Sequence, residues 1–286
     1  MSPFFSIIIP LYNSDETLQQ TLNGIEEQTF SDYELVFVDG GSTDDTLHII
    51  DTFTATNVIK ILSEPDKGIY DAMNKGIDLS SGKWLYFMGS DDVFYSKEVL
   101  AQVAGAILRK DCDLLYGNVI GEQSQIKYAD DTAAKVLARG IHHQSIFYKR
   151  HLFNYTGKYD PKFKVAADYH LTLKIFFNNN FKTRYTNLNV VFFGEAGLSS
   201  NTFDFRFYSY HYRFLATNNA ITKIDDPLEC LEKSIYCCFQ LAKQKHHLGF
   251  AWTNIVYYIT RAKEIGLGFK IKTLLRMAYW TLRTSS

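Results

Sequence analysis

The sequence predicts an α/β protein: a doubly wound, mostly parallel sheet over residues 1–200, then a helical extension over residues 201–286. Three observations predict it. Continuous apolar runs of strand length recur at Phe5–Leu11, at Tyr33–Asp39 and from Trp84 onward, as in strands covered on both faces. Segments with apolar residues at helical spacing stand between them, so strand and helix alternate. Beyond Asn201 the segments read as helices alone.

The first strand is expected to stop at Pro10, and Tyr12-Asn13-Ser14 turns the chain. Ser14 or Asp15 is placed to cap a helix through Leu18, Leu22 and Ile25. The second strand ends in Asp39, and Gly40-Gly41-Ser42-Thr43-Asp44 follows, a turn rich in backbone donors. Thr43 or Asp44 caps the helix carrying Leu47, Ile49, Ile50 and Phe53. Residues 58–62 form a third strand, 71–79 a helix, and Trp84 opens a fourth strand, completing a β-α-β-α-β-α-β alternation. Residues 99–108 then read as a helix, and 114–119 and 190–193 as strands.

The stretch Lys83-Trp84-Leu85-Tyr86-Phe87-Met88-Gly89-Ser90-Asp91-Asp92 carries the first chemical signal. An α/β sheet binds its ligand at the carboxyl ends of its strands. Two adjacent carboxylates there raise each other's pKa unless a cation relieves them, and hard oxygen ligands suit Mg or Mn. The alternative is that Asp91 or Asp92 caps a helix starting at Val93. A second strand ending in an acid, Asp39, makes a nucleotide site: one carboxylate for a base or ribose, a pair for a metal on the diphosphate. Asp39 as a mere cap of the next helix is the plainer reading. Neither G-x-G-x-x-G nor a P-loop Lys occurs, which disfavours a dehydrogenase or a P-loop NTPase.

Composition narrows the class. A net charge of −1 gives no global nucleic-acid signal. Residues 243–286 carry eight Lys or Arg against one Glu, a local basic excess. Cys112, Cys230, Cys237 and Cys238 show no metal-ligand spacing and no disulfide framework. No basic segment followed by an apolar stretch stands at the N-terminus, so a cytoplasmic protein is expected. The longest apolar runs fall far short of the roughly 18 residues of a membrane span.

Four ordered motifs carry a family resemblance: Ser6-Ile-Ile-Ile-Pro-Leu-Tyr-Asn13, Val38-Asp-Gly-Gly-Ser-Thr-Asp-Asp-Thr46, Asp66-Lys-Gly-Ile-Tyr-Asp-Ala-Met-Asn-Lys-Gly-Ile77 and Gly89-Ser-Asp-Asp92. Together they resemble glycosyltransferase family 2, inverting enzymes of the GT-A fold. The third motif is similar to the branch that builds bacterial O-antigen, capsule or exopolysaccharide repeats. The resemblance implies that Pro10, Tyr12, Asn13 and Asp39 line the nucleotide pocket, with Gly68 and Asp71 near the ribose and diphosphate. It makes Asp92 the direct ligand of Mn or Mg, with Asp91 shared between metal and nucleotide-sugar. One departure stands out: the family commonly has two acids before Gly-Ser, and here the second position is Gly40.

The segment Tyr159-Asp-Pro-Lys-Phe-Lys-Val-Ala-Ala-Asp168-Tyr-His-Leu resembles the one that carries the family's catalytic base. Inverting transfer needs a carboxylate to take the acceptor's proton, and Asp168 aligns with it. Ala167 stands where the family often has another acid. As a plain structural residue, Asp168 would be a helix-capping or first-turn acid. His142-His143-Gln144 is expected to be structural, with contact from His143 or Gln144 to acceptor or diphosphate as the alternative; the pair lacks a third zinc ligand. The loop from Gly194 through Ser200 either borders the site or is a plain turn.

Near the C-terminus Ile271, Leu274, Leu275, Ala278, Tyr279 and Leu282 form one helical stripe, with Lys272, Arg276 and Arg283 off it. The stripe is expected to pack on the catalytic domain; peripheral contact with an anionic membrane, where a lipid-linked acceptor would lie, is the alternative. The reading is thus a metal-dependent glycosyltransferase moving a sugar from a nucleotide-sugar, UDP-linked, to a glycan or lipid-linked acceptor. A sugar nucleotidyltransferase and a non-catalytic scaffold of a polysaccharide assembly complex are the competitors. The acidic 10–16 loop argues against the first, and the acids at positions 39, 92 and 168 against the second.

Overall fold

The computed structural model describes residues 2–53, 58–129, 132–195 and 202–283. The chain divides into two compact units. Met1–Thr132 with Arg139–Asn201 form the first, and Ala133–Ala138 with Thr202–Ser286 the second.

The first unit is built on one mixed sheet. In chain order its strands are β1 (Phe5–Leu11), β2 (Tyr33–Asp39), β3 (Val58–Ser63), β4 (Trp84–Phe87), β5 (Val93–Phe94), β6 (Leu114–Gly121), β7 (Lys127–Ala129), β8 (Ile146–Lys149) and β9 (Thr183–Phe193). They lie in the order β3-β2-β1-β4-β8-β6-β9-β5, with β7 on β6. The β3-β2-β1-β4 half is wholly parallel. Its order reverses about β1, which opens a crevice at the carboxyl ends of β1 and β4. The other half mixes antiparallel β8 with β6 and β9, which are parallel to each other.

Both faces of β1, β2 and β4 are covered, which is why these strands read as largely apolar runs. Ile7 and Ile9 face the helices α1 (Leu18–Glu26), α2 (Thr46–Thr52) and, further along, α4 (Val99–Arg109), in a core with Leu22, Ile25, Ile50, Val103 and Phe147. Ile8 faces α3 (Ile69–Leu79) on the other side. There α3 comes so close to β1 that a Cβ on Gly76 would overlap the Ile8 side chain. Each such fully buried aliphatic side chain stabilises the fold by about 1.5–3 kcal/mol. β3 is an edge strand, which leaves Val58 and Ile61 exposed.

Several local expectations are corrected. β1 runs through Pro10 instead of stopping there. Its ladder with β4 ends at Ile8, so the N–H that Pro10 lacks has no strand to serve. No helix starts at Val93; the chain forms β5 there, and α4 begins only at Val99. β9 starts at Thr183, well before the apolar run at its end, because its first seven residues are only partly buried and their polarity hides the strand. The start of α1 has no side-chain cap. Ser14 instead donates its N–H to Thr46 Oγ1 (2.7 Å).

The second unit is helical, with helices Phe205–Thr217, Pro227–Lys243, Leu248–Arg261 and Leu267–Leu282 around its own core of Tyr212, Leu231, Ile235, Ile255, Tyr258 and Met277. Asp204 and Asp226 cap the first two, accepting from Phe207 N–H and Glu229 N–H. The last helix turns Thr273 and Met277 inward. Ile271, Leu275, Tyr279 and Leu282 of the stripe are 50–80 % exposed, so within this unit the helix packs through another face. Among the described residues no helix is long and apolar enough to cross a membrane.

Candidate active site

The loops after β1 and β2 interlock. Asn13 adopts a left-handed backbone (φ 48°), which Asn tolerates better than most residues. Its N–H donates to Ser42 Oγ (2.8 Å), and its Oδ1 accepts from Thr43 N–H (2.9 Å). Asp44 accepts from Asp15 N–H and from Thr46 N–H at the start of α2. Tyr12 projects from this cluster with 64 % of its surface exposed, whereas Pro10 is buried in β1.

Asp39 closes β2 and has no exposed surface. It does not cap α2. Its carboxylate instead accepts from Gly41 N–H, Ser42 N–H and Ser63 Oγ (2.6 Å) and so holds the 40–42 turn. Burial pushes its pKa up, but these bonds outweigh burial and leave it below the ordinary value.

Asp91 and Asp92 follow β4, as expected. A Cβ on Gly89 would lie 2.8 Å from both Asp91 Oδ1 and Asp92 Oδ2, so no more than twice that separates the two oxygens. A Cβ on Gly194 would overlap the Asp91 carboxylate. Asp92 is buried and accepts from Gly89 N–H (2.7 Å) and Gly194 N–H (3.3 Å). Burial, and then the charge of Asp91, push its carboxyl up to about 7, against the opposing pull of His143 and the two N–H donors. No Lys or Arg pairs with either acid among the described residues. Nor do three or more His, Cys, Asp or Glu side chains there converge as an ion's full ligand set. Two carboxylates short of positive charge fit a cation that takes its other ligands from a diphosphate and water, as Mg commonly does.

After the helices α5 (Ala133–Arg139) and α6 (Leu152–Thr156), Asp168 lies in the first turn of α7 (Ala167–Phe176), where the helix dipole favours a carboxylate. Tyr70 Oη shares its one proton between Asp168 Oδ1 (2.9 Å) and the Val165 carbonyl (2.8 Å), and Tyr169 N–H donates to the same Oδ1 (2.8 Å). Its Oδ2 faces His143 Nδ1 at 3.5 Å, and 17 % of its side chain stays exposed. Burial would lower the His143 imidazole. The hydrogen bond and charge of Asp168, backed by Asp92 and Asp91, raise it instead. His143 thus lies within the electrostatic reach of both acid groups. Ala167 is fully buried, so an acid in its place would be desolvated.

The third motif gains a physical account. Gly68 (φ +114°) makes the turn into α3, and Asp71 in its first turn accepts from Lys67 N–H and pairs with Lys75 at 3.6 Å. Tyr70 holds Asp168, and Asn74 clamps Tyr159 by accepting its N–H and donating to its carbonyl. The sequence did not expose Tyr70 and Asn74 as site residues, because their partners lie 98 and 85 residues away. Gly194 borders the acids; residues 196–200 of that loop lie outside the described residues.

A GT-A-type sheet with an acid pair beyond β4 and an acid at the head of α7 defines a nucleotide-sugar transferase class. The chain belongs to glycosyltransferase family 2: the "Glycosyl transferase family 2" model matches residues 6–185. It is 42% identical over 207 residues to the PGL/p-HBAD biosynthesis glycosyltransferase of Mycobacterium bovis, covering 70% of this chain and 80% of that one. It is 28% identical over 182 residues to the Escherichia coli UDP-Glc:alpha-D-GlcNAc-diphosphoundecaprenol beta-1,3-glucosyltransferase WfgD, covering 61% and 70%. In fold it is similar to S. aureus TarS in complex with UDP-GlcNAc (TM-score 0.64, 21% identity, 98% of this chain and 82% of that one). It also resembles the Pyrobaculum calidifontis mannosyltransferase PcManGT in complex with GDP-Man and Mn2+ (TM-score 0.60, 15% identity, 99% and 88%).

Proposed function

We propose that this glycosyltransferase is metal-dependent and inverting, and moves a sugar from a UDP-sugar to a glycan or lipid-linked acceptor in bacterial surface polysaccharide synthesis. The observation that carries the reading is the neighbourhood of His143, which lies 3.5 Å from Asp168 and within the field of Asp92 and Asp91. A base and a cation-seeking pair within one field are what a single displacement requires.

Asp168 takes the proton of the acceptor hydroxyl as its oxygen attacks the anomeric carbon and the bond to the diphosphate breaks. Tyr70 and Tyr169 N–H fix one oxygen of Asp168, leaving Oδ2 the freer acceptor. Asp92 and Asp91 would hold Mn or Mg, which supplies positive charge to the departing diphosphate. Tyr12, Asn13, Asp39 and Pro10 shape the nucleoside end, and Gly68 and Asp71 the ribose and diphosphate end. WfgD carries UDP-Glc in its name and TarS is solved with UDP-GlcNAc, which supports UDP as the nucleotide. WfgD's diphosphoundecaprenol acceptor supports a lipid-linked one.

That acceptor class gives the open stripe of the last helix a role at the inner face of the plasma membrane. Lys272, Arg276 and Arg283 flank the exposed Leu275, Tyr279 and Leu282, a combination suited to anionic lipid. Sedimentation with phosphatidylglycerol vesicles, but not with phosphatidylcholine alone, is expected. Leu275→Glu/Leu282→Glu should abolish it, and equal binding by that variant would remove the membrane from the scheme.

Calorimetric titration with UDP and GDP, each with Mn and with EDTA, tests the core proposal. UDP binding that needs Mn and is lost in Asp92→Ala is expected. A folded protein that binds neither nucleotide would overturn the reading.

A further inference from the structure

We propose that Asp66, from the loop between β3 and α3, supplies the second carboxylate of the nucleotide pocket, in the space that Gly40 leaves beside Asp39. The inference rests on the reading of these loops as the nucleotide site.

A side chain at position 40 would have to displace the Asp66 carboxylate. A Cβ there would lie 2.5 Å from Asp66 Oδ2, 3.1 Å from Asp66 Cγ and 3.4 Å from the Tyr12 ring. The space is already held by a carboxylate, delivered from another element. Glycine at 40 and aspartate at 66 are therefore a matched pair, and the departure noted at Gly40 moves the second acid without removing it.

Asp66 is also the acid a ligand can reach. Asp39 has no exposed surface, and both its oxygens are occupied by its own turn and Ser63. Asp66 is partly exposed. Its Oδ1 accepts from Gly68 N–H (2.7 Å), which aims the group, and its Oδ2 accepts no hydrogen bond among the described residues. Lys75, whose charge feels Asp66, is committed first to Glu64 at 2.9 Å. An open carboxylate oxygen beside an exposed tyrosine ring suits a nucleoside: the ring takes the base face, and the oxygen accepts from a ribose hydroxyl or a base N–H.

The test is a swap, read by titration with UDP and Mn. Asp66→Asn, which keeps the shape and the bond to Gly68, should weaken binding roughly tenfold, the scale of a charge-assisted hydrogen bond. Gly40→Asp alone should weaken it at least as much, through overlap and like charge. Gly40→Asp/Asp66→Gly should recover to within about threefold of the parent. The Asp66→Asn penalty should vanish with 2′,3′-dideoxy-UDP if the ribose is the donor, or with CDP if the base imide is. Thermal melts identify any variant that has merely unfolded. The proposal is overturned if Asp66→Asn binds like the parent, if the double variant binds no better than Gly40→Asp, or if the penalty persists with both analogues. A folded parent that binds no nucleotide instead overturns the donor reading, so the two failures are distinct.

Discussion

The parallel half of the sheet buries a carboxylate at each end, and the two are treated in opposite ways. Glu34, near the amino end of β2, is paired with Lys60 at 2.8 Å and accepts from Ser6 Oγ (2.6 Å), Ser81 N–H and Oγ, and Gly82 N–H. Burial pushes its carboxyl up, but these partners together bring it down to about 2. Asp92, beyond the carboxyl end of β4, accepts two backbone N–H groups and meets Asp91, and its carboxyl rises to about 7. Burial is common to both; the partners differ. The protein satisfies its own acid at one end and leaves a charge deficit at the other. A stability site is complete in itself, and a ligand site is not.

The comparison can be broken most severely at the reaction itself. Asp168→Asn should lower kcat by about 10²–10⁴-fold, the usual worth of a general base, with little change in melting temperature. A smaller loss would move the proton elsewhere. Next comes Glu34→Ala, which strands the Ser6, Ser81 and Gly82 donors and should destabilise the fold by about 3 kcal/mol, measured by urea denaturation. Asp92→Asn should do the reverse in metal-free buffer, holding or raising the melting temperature while Mn-dependent UDP binding disappears. If both variants lose stability alike, the two ends are not different in kind.

The pH profile sharpens the same contrast. Below about 4.5, unfolded Glu34 carries a proton that the folded group does not, so its contribution is lost as pH falls towards 2. Between about 4 and 7, folded Asp92 holds a proton that the unfolded group has released, so its contribution falls as pH rises. Metal-free stability should therefore rise and then decline across this range, with the decline absent in Asp92→Asn. The smallest effect is expected at Tyr70→Phe, which leaves Asp168 but not its phenol donor. kcat should fall about tenfold with KM for the donor unchanged.

How legible each part was follows from where its causes lie. β1, β2 and β4 announce themselves because both faces are buried, so every residue but Glu34 and Asp39 is apolar or small. The start of β9 does not, since Thr183, Arg184 and Thr186 look like loop residues unless β6 is known to lie beside them. Asp39, Asp91 and Asp92 could be read because position at a strand end is a local property. The use of Tyr70 and Asn74 is long-range, and spacing carries no signal of it. The C-terminal stripe had the right period, but Thr273 and Met277 beside it are the residues this unit buries: periodicity identifies an apolar face, not what covers it.

Helix α3 has a further consequence. Its entrance loop holds Asp66 and Gly68, and within two turns it carries Tyr70 onto Asp168, the proposed base, and Asn74 onto the Tyr159 backbone. An α-helix turns about 100° per residue. Adding one residue to the first turn of α3 would swing whatever lies before it round the axis relative to the phenol. On the proposed reading, the composition of that entrance is free to follow the nucleotide, while its length is fixed by the proton transfer assigned to Asp168.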